Sequence, residues 1–288
     1  MKSSQHAYIW LIPCLCFLVI IDIIPFFYIL NLSFRAYSLI KPQYHGQFIG
    51  LNNYREALNS PEFMHVLGIT TKFLLPAITL EFILGLGIAL LLAKEVRGSK
   101  TFLSMLIIPM MIAPVVVGLA WRFMLRTDYG ILGIYIKQFF GLAPLGSFEW
   151  ALPTLILVDV WEWTPFIMLI LYTGIVSLPE EPIMAAKVDG ASKWQIFKYI
   201  TLPMLRMLIL IALLLRIIDA FKDFDKIWIL TSGGPGASTE LASIYAYRMN
   251  FKLWNMGYGA SVSLLIFLVI FSICAIFFNV YVKWESSA

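Results

Sequence analysis

Residues 178–203 read LPEEPIMAAKVDGASKWQIFKYITLP, a polar segment between two long apolar runs that has the marks of a folded element. Pro179 and Pro182 suit a first helical turn, where a missing amide hydrogen costs little, and Gly190 suits the left-handed residue that ends a short helix. Ser192 then opens a second helix. Gln195 stands three residues further on, in the capping-box arrangement where a serine oxygen accepts from a backbone amide and the glutamine reaches back. Ala185 and Ala186 are small enough to let another surface approach the first helix closely. The spacing predicts helix, break, helix.

On either side of that segment the chain is too apolar for water. Hydrophobic residues make up 60% and charged residues 13%, against about 25% charged in soluble domains, and the mean hydropathy is +0.85. Apolar runs of about 20 residues, enough to cross the hydrocarbon as helices, recur along the chain. They predict an all-α polytopic membrane protein with six transmembrane helices, at about 8–34, 66–94, 101–125, 150–177, 204–230 and 257–283, in a single domain. The first run is too long for the apolar region of a cleaved signal peptide. Asp22, Pro13 and Pro25 within it suggest kinks and a face turned to protein. Between the first two helices, Arg35 to about Met64 is the longest loop, and LNNYREALNSPEF inside it resembles a short amphipathic helix. Gly85 and Ala89 have the small-xxx-small spacing that lets membrane helices approach. Residues 126–148 read as an irregular loop and TSGGPGASTE, 231–240, as a glycine-rich one.

Several kinds of chemistry find no support. Cys14 and Cys16 point to different faces of a helix, and with Cys274 they lie in apolar runs, so neither a disulfide nor a metal site is expected. His6, His45 and His65 lack zinc-ligand spacing. No phosphate-binding G-x-x-x-x-G-K-[ST] is present, GGPG at 233–236 lacks the lysine, and nucleotide hydrolysis would need a partner. A formal charge of +4 gives no reason to expect nucleic acid. No cofactor is implied.

Ionisable residues at membrane depth are costly and normally face a cavity or a partner. Asp159 and Glu162 share one face of the fourth helix, beside Trp163 and Phe166, and Arg216, Asp219 and Asp223 repeat that geometry in the fifth. Two readings follow. Carboxylates and aromatic faces are what a sugar path uses, accepting hydroxyl protons and covering the apolar ring face; alternatively Arg216 pairs with Asp219, Asp159 or Glu162 and holds the bundle together. Glu81 and Asp22 suit interhelical hydrogen bonding better than a proton relay.

A pattern within the opening segment is that of a known family. Ala185, Ala186, Gly190 and, after nine residues, Ile200, Leu202 and Pro203 reproduce the spacing E-A-A-x3-G-x9-I-x-L-P, and the chain resembles the bacterial ABC-importer permeases that carry this EAA loop. PFFYILNLSFRAY, FIGLNNYREAL, PMMIAPVVVGLAWRFML, WEWTPFIMLILYTGIVSLP, LTSGGPGASTELASIYAYRMNF and GYGASVSLLIFL, in that order, narrow the resemblance to the carbohydrate importers of the maltose and glycerol-phosphate type. It implies a permease in the bacterial plasma membrane with both termini cytoplasmic, in line with the basic turn Lys94, Arg97, Lys100. Ala185, Ala186, Asp189, Gly190, Ile200, Leu202 and Pro203 would couple it to the ATPase. Sugar would be held at the positions of Asp159, Glu162, Trp163, Phe166, Arg216, Asp219, Ala220 and Asp223. The implied partners are a second homologous permease, two ATP-binding subunits, and an extracytoplasmic sugar-binding protein docking on Arg35 to Met64 and Gly233 to Tyr247. The family's glutamate falls at Met184, with Glu180 or Glu181 one turn away as replacements. Three acids and one base suit a neutral polyhydroxyl ligand better than an anion such as glycerol phosphate. A proton-coupled secondary transporter using Glu81 or Asp159, and an intramembrane transferase, are the alternatives; inverted repeats for the first and a catalytic constellation for the second are not seen.

Overall fold

The computed structural model describes residues 12–41, 43, 45–94 and 98–285; the expected first turn of the first helix, His6 and Arg97 lie outside the described residues. The chain divides into two compact units, one of residues 1–65 with 245–269 and one of residues 66–244 with 270–288. Among the described residues, five helices are long and apolar enough to cross a membrane, and a sixth span results if one bent pair is counted as a single crossing.

The first unit begins with α1, Ile12–Ser33, whose side chains from Ile12 to Ile29 are nearly all exposed, as suits a helix surrounded by hydrocarbon. Asp22 is exposed with them in the chain alone. Two short antiparallel strands follow, β1 (Arg35–Tyr37) and β2 (His45–Phe48), then α2, Asn52–Asn59. The hairpin was not expected, and α2 is the amphipathic helix that the loop sequence predicts. Buried Asn53 ties α2 to the end of α1, its amide donating to Ser33 O at 2.7 Å and Arg35 O at 3.0 Å. Those carbonyls follow a helix end and have no partner within the helix, which explains why an amide is buried there.

In the second unit α3, Pro61–Leu92, runs from Val66 onward against α7, Ala151–Val176. The close approach expected at Gly85 is present. A Cβ there would stand 3.0 Å from the Met168 backbone nitrogen and 3.1 Å from Ile167 Cγ2, and Ala89 is buried with Ile167, Met168 and Leu171. A larger core joins Ile69, Phe73 and Ala77 of α3 to Leu155 and Val158 of α7 and to Ile227 and Leu230.

Two helices differ from the sequence expectation. The third, expected over 101–125, is broken: α4 (Ser99–Met111) and α5 (Pro114–Leu125) meet at 92°. Ile112 and Ala113 are extended, with ψ of 136° at both, because the ring of Pro114 disfavours helical geometry in the preceding residue and offers no amide hydrogen to continue the ladder. The irregular stretch after it contains α6, Ile131–Phe140. The fifth helix, expected over 204–230, instead runs as α9 from Lys193 to Lys222, and α10 (Asp225–Thr231) begins separately after extended Asp223. The polar segment therefore ends at Ser192, and its second helix is the first turns of a span. Between α7 and α9 lies α8, Glu180–Val188. After α10 come α11, Ala242–Tyr247, and α12, Met256–Glu285.

Replacing Gly85 with Leu would place a branched side chain where α3 meets the α7 backbone. The expected result is a loss of about 1–3 kcal/mol from overpacking, seen as a lower unfolding temperature of the purified protein in detergent; Gly85→Ala should lose much less.

Candidate functional site: a buried charge network

Four helical segments of the second unit bring charge to one place. α3 supplies Glu81, α7 supplies Asp159 and Glu162 three residues apart on one face, α9 supplies Arg216, and the break after Lys222 leaves Asp223 at the end of α9 with Lys226 in the first turn of α10. Glu81, Asp159, Glu162, Arg216 and Lys226 are all buried. The Arg216 guanidinium donates through Nε to Glu81 Oε2 at 2.7 Å and through Nη2 to Glu81 Oε1 at 3.0 Å and Asp159 Oδ2 at 2.5 Å. This fork across two carboxylates is the geometry in which arginine outperforms lysine. The Lys226 ammonium donates to Asp159 Oδ1 and Glu162 Oε2, each at 2.6 Å, and lies 2.8 Å from Asp223 Oδ2. Two of the ammonium's protons are thus donated to carboxylates, and Asp223 is held beside it as an ion pair, its Oδ2 without a hydrogen bond among the described residues.

Asp159 is the shared member. One of its oxygens takes Arg216 and the other takes Lys226, so α7, α9 and α10 are joined through one side chain. Four carboxylates are held by two cations, which makes each cation indispensable: removing either strands charge that water cannot reach. Burying an ion costs several kcal/mol, offset only by close partners with good geometry. α5 seals the site, Gly118 allowing an approach so close that a Cβ would stand 3.1 Å from Lys226 O and 3.2 Å from its Cα.

The residues singled out in the sequence separate into two groups. Asp159, Glu162, Arg216 and Ala220 are interior, and Asp223 is close to it. Trp163 and Phe166 are half-buried, their rings edge to face at 6.1 Å, with the Arg216 guanidinium 5.1 Å from the Trp163 ring centre. The Asp219 side chain is 45% exposed, 3.8 Å from Arg216 Nη1. That nitrogen has no hydrogen bond among the described residues. Aromatic faces, a guanidinium edge and an accessible carboxylate thus lie together beside the network. Glu81 is indeed an interhelical hydrogen-bonding group. Lys226 was not singled out in the sequence, since the helix expected over 204–230 runs through it without a break; its spacing of three from Asp223 was the available signal.

The segment between α7 and α9 shows the local geometry expected of it. Gly190 has φ +80° with open space where a Cβ would be. Ser192 N donates to Gln195 Oε1 at 2.7 Å and Gln195 N to Ser192 Oγ at 3.3 Å, completing the capping box. α8 buries no residue. Ala185, Asp189 and Gly190 are exposed and Ala186 half-buried, beside Val188 and Trp194 at 87% and 67% exposure. Ile200 and Leu202 are half-buried and Pro203 exposed, all within α9. Met184, 54% exposed, stands where the EAA pattern has its acid, and Glu180 and Glu181 lie in the first turn of α8.

Lys226→Met should lower stability by about 3–5 kcal/mol by leaving three carboxylates around an uncharged side chain. Thermal unfolding in detergent checks this, and adding Glu162→Gln should recover part of the loss by removing one uncompensated charge.

Comparison with known proteins places the chain in a family. Residues 81–283 match the family described as binding-protein-dependent transport system inner membrane component. A probable ABC transporter permease protein of Sinorhizobium fredii is 38% identical over 91% of this chain and 85% of its own length. MalF of Thermococcus litoralis, a trehalose/maltose transport system permease protein, is 32% identical over 97% of this chain and 94% of its own length. Among solved structures, a bacterial ABC transporter involved in the import of the acidic polysaccharide alginate superposes with a TM-score of 0.83 at 20% identity, covering 98% of this chain and 96% of the other; at that identity the likeness is one of fold. The chain therefore belongs to the family of binding-protein-dependent transport system inner membrane components, as a multi-pass ABC permease subunit and a transport component rather than an enzyme.

Proposed function

We propose that this permease imports a neutral sugar, glycoside or sugar alcohol, driven by ATP hydrolysis in partner subunits. The observation that carries the proposal is the exposed segment between α7 and α9, with Ala185 and Ala186 on a short helix that buries nothing of its own, in a chain whose Thermococcus relative bears a trehalose/maltose name. Small side chains flanked by exposed Val188 and Trp194 are suited to docking on an ATPase. Met184 leaves that contact without the usual acid, so close packing, aided by Glu180 and Glu181, takes its place.

Six crossings return the chain to the side on which it began. With α8 cytoplasmic, both termini are cytoplasmic, and the loops Arg35 to Met64 and Gly233 to Tyr247 face outward, toward a sugar-binding protein. A second homologous permease completes the pathway, two ATP-binding subunits drive it, and the assembly sits in a bacterial plasma membrane. Trp163, Phe166 and Asp219 contact the sugar; Asp159, Glu162, Arg216, Ala220 and Asp223 hold them in place. ATP-driven closure of the ATPase pair moves α8 together with α7 and α9, which the ion network keeps as one body, and sugar is favoured by the outward state when the binding protein delivers it and by neither wall when the cavity turns inward. The chain supplies differential contact in the two states, not bond chemistry.

In proteoliposomes holding the whole complex with its binding protein, uptake of labelled maltose or trehalose should require internal ATP and survive a protonophore. Uptake that persists without ATP, or that collapses with the proton gradient, refutes this reading in favour of a secondary transporter. Within the same system, Ala186→Arg should reduce sugar-stimulated ATP hydrolysis to its unstimulated rate; full stimulation would show that α8 is not the coupling contact.

A further inference from the structure

The first unit holds a cavity that the proposed pathway does not use. It measures about 670 Å³ and lies among α2, the start of α3, α11, the segment after it and the start of α12, within the size range of small-molecule sites. Its floor is polar although buried: the Tyr245 and Tyr258 hydroxyls are 3.1 Å apart, and both side chains are almost fully covered. Its walls carry Arg55, Glu56, Asn52 and Asn255.

The charges of this cavity are balanced. Glu62 on its wall is neutralised by Arg248, 2.5 Å away. Arg55 and Glu56 remain, one cation and one carboxylate, and neither side chain has an ion pair or side-chain hydrogen bond among the described residues. An anionic ligand would meet Glu56 and a cationic one Arg55, whereas a neutral ligand rich in hydroxyls can use both, donating to the carboxylate and accepting from the guanidinium and the amides. A second cavity of about 450 Å³ shares Glu56, Met249, Leu253 and Asn255 with it, so one carboxylate, one amide and two apolar side chains serve two adjoining compartments. That arrangement suits a ligand of two or more linked rings.

From these observations we propose that this cavity is a carbohydrate subsite, separate from the residues around Trp163, that takes a neutral di- or oligosaccharide. The proposal rests on the sugar-import reading above and gives the sugar a contact within the first unit. Glu56 accepts hydroxyl protons, Arg55 and Asn255 donate, and the paired tyrosine hydroxyls at the floor each offer one further donor or acceptor position.

The test uses the complete complex in lipid nanodiscs without its binding protein, with maltose and trehalose as probes and saturation-transfer NMR as the readout. The wild type should transfer saturation to at least one of them. Glu56→Gln and Tyr258→Phe should each weaken that binding about three- to tenfold, the worth of one hydrogen bond. Tyr258 is buried at the floor, so its hydroxyl is out of reach of a docked protein surface. No transfer from the wild type to either sugar, or transfer unaffected by both substitutions, overturns the proposal. A binding protein that docks more weakly on Glu56→Gln, with sugar transfer unchanged, also overturns it and assigns the cavity to protein docking. Import of maltose or trehalose by the wild-type complex is measured in parallel; failure of import alone counts against the sugar-import reading, and failure of transfer alone counts against the subsite.

Discussion

Two cations buried among four carboxylates hold the second unit in register. Asp159 divides its oxygens between Arg216 and Lys226, Glu81 accepts from Nε and Nη2 of the arginine, and Glu162 accepts from the ammonium with Asp223 as an ion-pair neighbour. In a medium that strands unpaired charge, these partners cannot be exchanged for others without a penalty of several kcal/mol. Hydrocarbon gives helices little reason to prefer one face over another, since lipid tails are as apolar as leucine. The ion pairs supply that preference, and they select which faces of α3, α7, α9 and α10 meet.

The consequences extend along α7 and α9. Both lead directly into the exposed segment that carries Ala185 and Ala186, one at each end. A displacement of that segment therefore acts on two helices that Arg216 and Asp159 keep together. The aromatic pair Trp163 and Phe166 and the exposed Asp219 stand on the same two helices, next to the network and outside it. Rigid charge pairing and accessible aromatic and carboxylate groups are neighbours: some members of the acidic cluster hold the helices together, and Asp219 is exposed beside them.

The helix breaks are as consequential as the helices. Extended Asp223 ends α9 and turns the chain so that Lys226 enters the interior; a helix continued through that point would carry the lysine elsewhere. Pro114 similarly folds the third expected span through 92°, bringing α5 across α10, where Gly118 permits backbone contact with Lys226. Each break exposes peptide groups that must be satisfied by protein at membrane depth, so such breaks occur where other helices cover them.

Features set by neighbours in the chain were legible beforehand. Apolar run lengths identify five spans and the material of a sixth, because crossing hydrocarbon is a requirement on length and composition. Gly190, Ser192 and Gln195 declare a helix end and a capped start, because those hydrogen bonds close within four residues, and Gly85 with Ala89 marks a helix contact by its spacing alone. Asp159, Glu162 and Arg216 were recognisable as charges that need partners, because an unpaired charge in an apolar span is costly. What they pair with was not. Lys226 reaches Asp159 across 67 positions and Arg216 reaches Glu81 across 135, and only the packing of helices against one another determines which charges meet. The sequence by itself thus determined the spans, the caps and the cost of the buried charges, all of which depend on local geometry and solvent. The tertiary structure alone decided the partners, the bend at Pro114 and the cavity above Tyr245 and Tyr258, because each depends on segments brought together from distant parts of the chain.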